Sequence, residues 1–260
     1  MHQQRLDRST LGLAHVSRQL SGLLCALALV GCGAERDEEV EPPGARRALG
    51  GDAKVATLAR ARLAERPAGP IAWVGDEVAL ARGRAPVHRH EAAFVYARRG
   101  TSGLERRGKS VRLKAGQAAF VPARAPHRHL GAGGGATLWE VRLAAPDSPP
   151  SPGGRRVFAS DPLRGIPARP LASFLEVELP ARGGMTTVHT HPGPEFIYQL
   201  EGRIDYQNAL IGTKRLGPGG AEAIPPDTAV QKRNPFPADA RFLSWFLVDP
   251  DQPFAPAAEF

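Results

Sequence analysis

Cysteine is nearly missing from this chain of 260 residues: there are two, Cys25 and Cys32, and none follows position 32. The remainder therefore has no disulfide, no thiolate nucleophile and no cysteine-held metal, so its stability must come from a buried core. Long apolar runs are missing too. The stretch Leu20 to Val30 carries no charge but is only eleven residues long, too short to cross a bilayer as a helix. Basic residues outnumber acidic ones, for a formal charge of +8, yet the arginines are scattered among Ala, Gly and Pro without interleaved aromatics. That excludes a nucleic-acid footprint. There is no phosphate loop, no dinucleotide fingerprint and no serine in a nucleophile elbow. Histidine is also scarce, with eight in the chain, so where they fall carries information.

The two ends of the first fifty residues differ in character. Arg5, Arg8 and Arg18 precede the apolar run, and "LVGC" closes it at Cys32. This order suits a secretory signal. The "LVGC" ending resembles a bacterial lipobox, which implies that residues 1–31 are a signal peptide and that Cys32 is lipidated. By the same resemblance Gly33, standing where Asp would retain the protein, implies a chain not held at the inner membrane. The expectation is an exported protein, lipid-anchored in the cell envelope on the outer-membrane or periplasmic side. Residues 32–52 include "GAERDEEVEPPGARRALGG", polar and rich in Gly and Pro, and read as a tether.

Beyond the tether, short segments rich in Val, Ile, Leu and Phe recur between Gly and Pro: "GPIAWVG", "AAFVYARRG", "GQAAFVP", "ATLWEVRL", "ASFLEVELP", "EFIYQLEG", "GAEAIPP" and "RFLSWFLV". Many short strands at such spacing predict an all-β sandwich or barrel. "VATLARARLAER" (55–66) reads equally as a short helix or an arm strand. A second Pro/Gly-rich stretch, "APDSPPSPGG", divides what remains, giving a first domain over 53–145, a linker over 146–156 and a second domain over 157–260. The halves repeat one another at an offset of about one hundred residues. "HRHEAAFVYARRG" matches "HTHPGPEFIYQLEG" with one residue deleted, and "AGQAAFVPARAPHRH" matches "PGGAEAIPPDTAVQK". This is a domain duplication and not a solenoid period.

Within the second half, Gly183, His189, His191, Glu195 and Gly202 fit at every position the pattern Gly, five residues, His-x-His, three residues, Glu, six residues, Gly. Gly116, Pro122 and His127 in the first half supply most of the companion motif, with Arg124 where it has glycine and Gly131 where it has asparagine. These blocks, spanning about residues 70–250, resemble the cupin family. The resemblance implies two tandem jelly-roll β-barrels, each able to bind a divalent transition metal (Fe, Mn, Ni or Zn) inside the barrel through two histidines, a glutamate and a histidine of the second motif. Strand alternation agrees, because His-x-His places two imidazoles on one face, and two imidazoles with a carboxylate form a facial triad.

Each half departs from the pattern. The first keeps His88, His90 and His127 but has Ala93 at the glutamate position, which predicts an all-neutral site holding the full 2+ charge on the metal. Glu91 is an alternative carboxylate, although alternation turns it to the opposite face, and His129 is a candidate supporting partner or ligand. The second keeps His189, His191 and Glu195, but Val230 or, in a shifted alignment, Gln231 stands at the second-motif histidine. The expected function is a metal-dependent oxidoreductase, dioxygenase-like, acting on a small organic substrate. The alternative is a non-catalytic bicupin that binds a metal or small ligand. Membrane contact is expected only through the lipid anchor, no nucleic-acid partner is expected, and a homo-oligomer is compatible with either reading.

Overall fold

The computed structural model describes residues 49–132 and 134–260, so the signal segment and the lipidation expected at Cys32 lie outside the described residues. The first half forms nine strands: β1 Lys54–Arg62, β2 Ala72–Leu80, β3 Gly83–Arg84, β4 Ala93–Arg99, β5 Thr101–Arg106, β6 Lys109–Lys114, β7 Ala118–Val121, β8 His127–Gly131 and β9 Ala136–Ala144. The second half repeats them as β10 Gly154–Ala159, β11 Leu171–Leu179, β12 Gly184–Met185, β13 Glu195–Glu201, β14 Ile204–Asn208, β15 Gly212–Leu216, β16 Ala221–Ile224, β17 Val230–Asn234 and β18 Ala240–Val248. No described residue is helical. The fold is all-β, as the strand spacing predicts, and consists of two jelly-roll barrels in tandem, as the family resemblance implies.

Each barrel has a five-stranded and a four-stranded sheet, and every strand has its counterpart nine places later. The large sheets run β10-β2-β9-β4-β7 and β1-β11-β18-β13-β16, and the small ones β3-β8-β5-β6 and β12-β17-β14-β15. The edge strands are exchanged. Segment 55–66 resolves as an arm strand: β1 leaves the first half and pairs antiparallel with β11, from Lys54 opposite Glu178 to Arg62 opposite Leu171. In return β10, which begins inside the Pro/Gly-rich stretch, pairs with β2 of the first barrel. The sequence division at 146–156 therefore does not coincide with a division of the sheets.

Strand alternation sorts the side chains into two layers. On one face of the large sheets, Val95, Ala97 and Leu138 fill the first barrel, while Ile197, Phe242 and Phe246 fill the second. On the other face Trp73, Phe94, Tyr96, Trp139, Phe158, Phe174, Phe196 and Trp245 form one shared aromatic cluster between the barrels. Phe174 stacks on Trp245 with ring centroids 4.8 Å apart, and Phe158 of the exchanged strand touches Phe196, Tyr198 and Trp245. A side chain at Gly75 would collide with the Phe158 ring, so glycine is what lets the exchanged strand lie flat. Full burial of each such ring is worth about 1.5–3 kcal/mol, which makes this layer a principal source of cohesion in a chain without disulfides.

Candidate metal centre

In the first barrel five side chains meet at one point. The Nε2 atoms of His88, His90, His127 and His129 lie 3.3, 2.7, 3.2 and 3.1 Å from a single oxygen, Oε1 of Glu140. His88 and His90 come from the loop before β4; His127 and His129 come from alternate positions of β8, hence one face; Glu140 is at the middle of β9. The loop is pinned to β8 by a bridge between His88 and His127 and by the Arg124 amide donating to the His90 carbonyl at 2.7 Å. Arg124, at the place where the family motif has glycine, adopts a left-handed backbone with φ of 59° to make that turn.

Glu140 is the residue that sequence reasoning missed, and it overturns the expectation of an all-neutral site. Ala93 faces inward but carries no carboxylate; the neighbouring strand provides one, since Ala93 pairs with Arg142 and Val95 with Glu140. The only signal in the sequence was a carboxylate within the apolar strand "ATLWEVRLA". Glu91 does not replace it: its side chain is 53 % exposed, with its carboxylate 3.6 Å from Arg142. His129 stands with the other imidazoles. Ligand atoms of His88, His127, His129 and Glu140 fall within 4.8 Å of one another, a group able to hold a metal ion, and His90 approaches the same carboxylate oxygen.

The hydrogen-bond pattern tests whether a cation fits. Nδ1 of His88, His90 and His127 lies at 3.3, 2.5 and 3.0 Å from the carbonyl oxygens of Pro86, Glu91 and Ala125. A carbonyl only accepts, so each Nδ1 carries hydrogen and a neutral ring turns its Nε2 lone pair toward Glu140. Lone pairs facing a carboxylate oxygen repel unless a positive charge lies between them. Protons on all four rings would leave three uncompensated positive charges in a buried site, a costly arrangement. Burial indeed drives His129 below the ordinary imidazole range despite its contact with Glu140, whereas the Glu140 hydrogen bond raises His88. For Glu140 itself burial pushes upward, but positive charge on the surrounding imidazoles would outweigh it and hold the carboxyl far below its usual range. Its second oxygen, Oε2, is buried without a partner. The donor set of imidazoles and one carboxylate suits Mn, Fe, Ni or Zn.

The second barrel is built differently. His191 Nε2 lies 3.5 Å from Glu195 Oε2 and its ring centroid 4.9 Å from that of His189, and Val230 bridges His189 as His127 bridges His88. The shifted alignment is thereby excluded: Val230 is the counterpart of His127, and Gln231 turns away to donate to the Thr186 carbonyl. The counterpart of His129 is Lys232, whose side chain is buried. Its Nζ donates to Glu195 Oε2 at 2.8 Å, while Ser244, the counterpart of Glu140, donates to Oε1 at 2.9 Å. Burial would raise Glu195, but the charge and hydrogen bond of Lys232, together with His191 and His189, outweigh it and lower the carboxyl. Burial pushes His189 down to about 3, with Lys232 adding to the effect; it pushes His191 down to about 4, overriding the pull of Glu195. Both rings fix Nδ1 on carbonyls, of Thr187 and Phe254, and aim partnerless Nε2 atoms inward.

Access differs as well. The first site reaches solvent beside His88, whose side chain is 13 % exposed. The mouth of the second is covered by the C-terminal segment, through bonds between Thr190 and Pro256 and between Ala258 and Val188, with the Phe254 ring against His191. A cleft of about 520 Å³ beside Arg98, Trp139, Arg155 and Tyr198 is separate from both centres. Trp139 and Glu140 are adjacent in β9 and face opposite ways, so the cleft is outside the first barrel.

Comparison with known proteins agrees with this geometry. Residues 77–141, within the first barrel, match the model of the cupin domain. Over about three quarters of the chain the fold is similar to that of solved oxalate decarboxylases. Oxalate decarboxylase of Lactobacillus farciminis, solved as a formate complex, superposes with a TM-score of 0.53 at 14% identity, covering 72% of this chain and 79% of that one. The Bacillus subtilis oxalate decarboxylase, studied for its Mn(II) centres, gives 0.51 at 15% identity, covering 79% and 74%. No curated protein matches in sequence.

Proposed function

We propose that this protein is a metal-dependent bicupin enzyme, an oxidoreductase of the dioxygenase kind acting on a small organic substrate, with its working centre in the first barrel. The observation that carries the reading is the convergence of four imidazole Nε2 atoms on Glu140 Oε1, three of them with Nδ1 held by carbonyls, an array that a cation would stabilise. A divalent metal held there would supply a Lewis-acid and redox centre. The chain's own residues do the rest. Backbone carbonyls of Pro86, Glu91 and Ala125 fix three rings with Nε2 inward. Val95, Leu104 and Val121 wall the barrel and exclude water, and the His88 side admits a small molecule. The similarity to oxalate decarboxylases makes small carboxylates the first substrates to try. The lipobox reading places the enzyme in the cell envelope on a lipid anchor at Cys32.

One observation favours the non-catalytic alternative: His88, His127, His129 and Glu140 could all hold one ion, with His90 close to the same carboxylate oxygen, which would leave few positions for a substrate. Metal analysis of the protein after reconstitution with Mn, Fe, Ni and Zn, followed by oxygen uptake and carboxylate turnover, separates the two. Metal lost in Glu140→Ala together with turnover by the wild type supports the enzyme. Tight metal with no exchangeable water and no turnover supports a binding role. A first barrel that takes up none of the four metals overturns both.

A further inference from the structure

The second barrel has a complete His-x-His and glutamate cluster, and the first has a metal-ready one, so the simplest reading of the duplication is two metals per chain. The residues present do not fit that reading. In the first barrel the side chains that face the centre from β8 are His127 and His129; in the second the same positions of β17 hold Val230 and Lys232. Valine removes a ligand, and lysine brings a positive charge to within 2.8 Å of the only carboxylate in the cluster. Both Glu195 oxygens are already committed, one to Lys232 and one to Ser244, whereas Glu140 Oε2 is free of partners. Lys232, Glu195, His189 and His191 are each at most 3 % exposed, so the ammonium has no solvent to retreat into.

We infer that the second barrel carries its cation covalently: the Lys232 ammonium takes the place that a divalent metal takes in the first barrel, so the chain loads one metal and not two. The charge balance supports it. One ammonium against one carboxylate, with neutral imidazoles beside them, is a neutral buried set, while adding a divalent ion would leave two uncompensated charges in the core. Lysine is suited to the role because its ammonium is a compact point charge with three donors on a flexible stem. One donor is spent on Glu195, while the inward Nε2 atoms of His189 and His191 make no hydrogen bond. The covering C-terminal segment then closes a site that has nothing to exchange.

This inference rests on the reading of the first barrel as the metal centre only for its count of one, and the test keeps the two apart. The full-length chain, purified in detergent and reconstituted separately with Mn(II) and Zn(II), is assayed for metal per chain by inductively coupled plasma mass spectrometry. The variants are E140A, H189A/H191A, K232H and K232H/E140A, each checked for folding by its melting transition. The expected result is one metal in the wild type, none in E140A, and an unchanged count of one in H189A/H191A. K232H, which removes the ammonium and offers an imidazole at the position of His129, rises to two, and K232H/E140A returns to one. A wild type with two metals, one of them lost in H189A/H191A, overturns the inference whether or not K232H folds. A folded K232H that stays at the wild-type count also overturns it. A metal-free wild type in which K232H gains one metal supports the inference while removing the proposed function of the first barrel.

Discussion

The two barrels share a strand order and differ in what fills the centre. In the first, five inward polar groups (His88, His90, His127, His129 and Glu140) surround a point that calls for a cation, and the mouth is open at His88. In the second, Lys232 provides the positive charge, Val230 replaces a ligand by an apolar contact, and the chain's own C-terminal segment covers the mouth. The comparison teaches that a duplicated fold conserves sheet order more strictly than chemistry. Three inward positions, those of Glu140/Ser244, His127/Val230 and His129/Lys232, convert a site whose carboxylate faces only imidazoles into one whose carboxylate is paired internally. Packing is not sacrificed in the exchange, because each substituted side chain remains buried.

Breaking the internal pair should produce the largest effect. Lys232→Ala in metal-free buffer leaves Glu195 as an unpaired buried charge, and the expected loss is about 3–5 kcal/mol in urea unfolding. The double variant K232M/E195Q, which removes both charges, should recover most of it. A Lys232→Ala loss below about 1 kcal/mol would show that the ammonium is not integrated into the core. In the first barrel the corresponding cut is Glu140→Ala, for which metal affinity should fall by at least about 100-fold, the upper scale reached when even a supporting partner of a ligand is removed. Competition with a chelator measures it, and Glu91→Ala should leave the affinity unchanged because Glu91 faces Arg142 and solvent.

Acid should separate the barrels in the chelated protein. His189 and His191 hold folded values of about 3 and about 4, below the ordinary imidazole value of 6.5. Their contribution is therefore complete above about pH 6.5 and is lost as the pH falls toward 4, since the unfolded chain binds protons that the folded one refuses. His88 is shifted the other way by Glu140, so its contribution is present below pH 6.5 and fades as the pH rises through its raised value. Urea unfolding between pH 4 and 7.5 should thus show an acid limb that His191→Gln flattens and His88→Gln leaves at least as steep.

The smallest effect concerns the turns that dock on the histidine loops. Arg124 and Asp227 occupy equivalent positions with φ of 59° and 57°, and their amides donate to the carbonyls of His90 and His191. Glycine relieves a left-handed backbone of about 1–2 kcal/mol, offset in part by the freedom it gives the unfolded chain. Arg124→Gly should raise the melting temperature slightly, and Asp227→Gly less, because aspartate tolerates this conformation better. Equal or negative shifts would mean that the side chains themselves support the turns.

Much of this was legible along the chain. Short apolar segments punctuated by Gly and Pro specify strands wherever they fold, and the offset repeat of "HRHEAAFVYARRG" and "HTHPGPEFIYQLEG" specifies two copies of one unit. The proximity of histidines within each loop was legible for the same reason: it is a local, period-two property of the backbone. Segment 55–66 was not legible, because its choice between helix and strand depends on β11, more than a hundred residues away, offering an edge. Nor was the exchange of β1 and β10, which the sequence division at 146–156 gives no reason to expect.

The sequence by itself determined an all-β tandem repeat without thiols beyond Cys32 and gathered six of its eight histidines into three His-x-His pairs, two of them at matched positions of the repeat. Only the tertiary structure decided which of them share a centre and with what. Glu140 reaches the histidines because β9 lies against β4 in the sheet, and Lys232 meets Glu195 because β17 folds over β13 across the barrel. The physical reason is that a jelly roll brings side chains together between strands distant in sequence, so the charge that completes each centre is set by sheet neighbours and not by motif spacing.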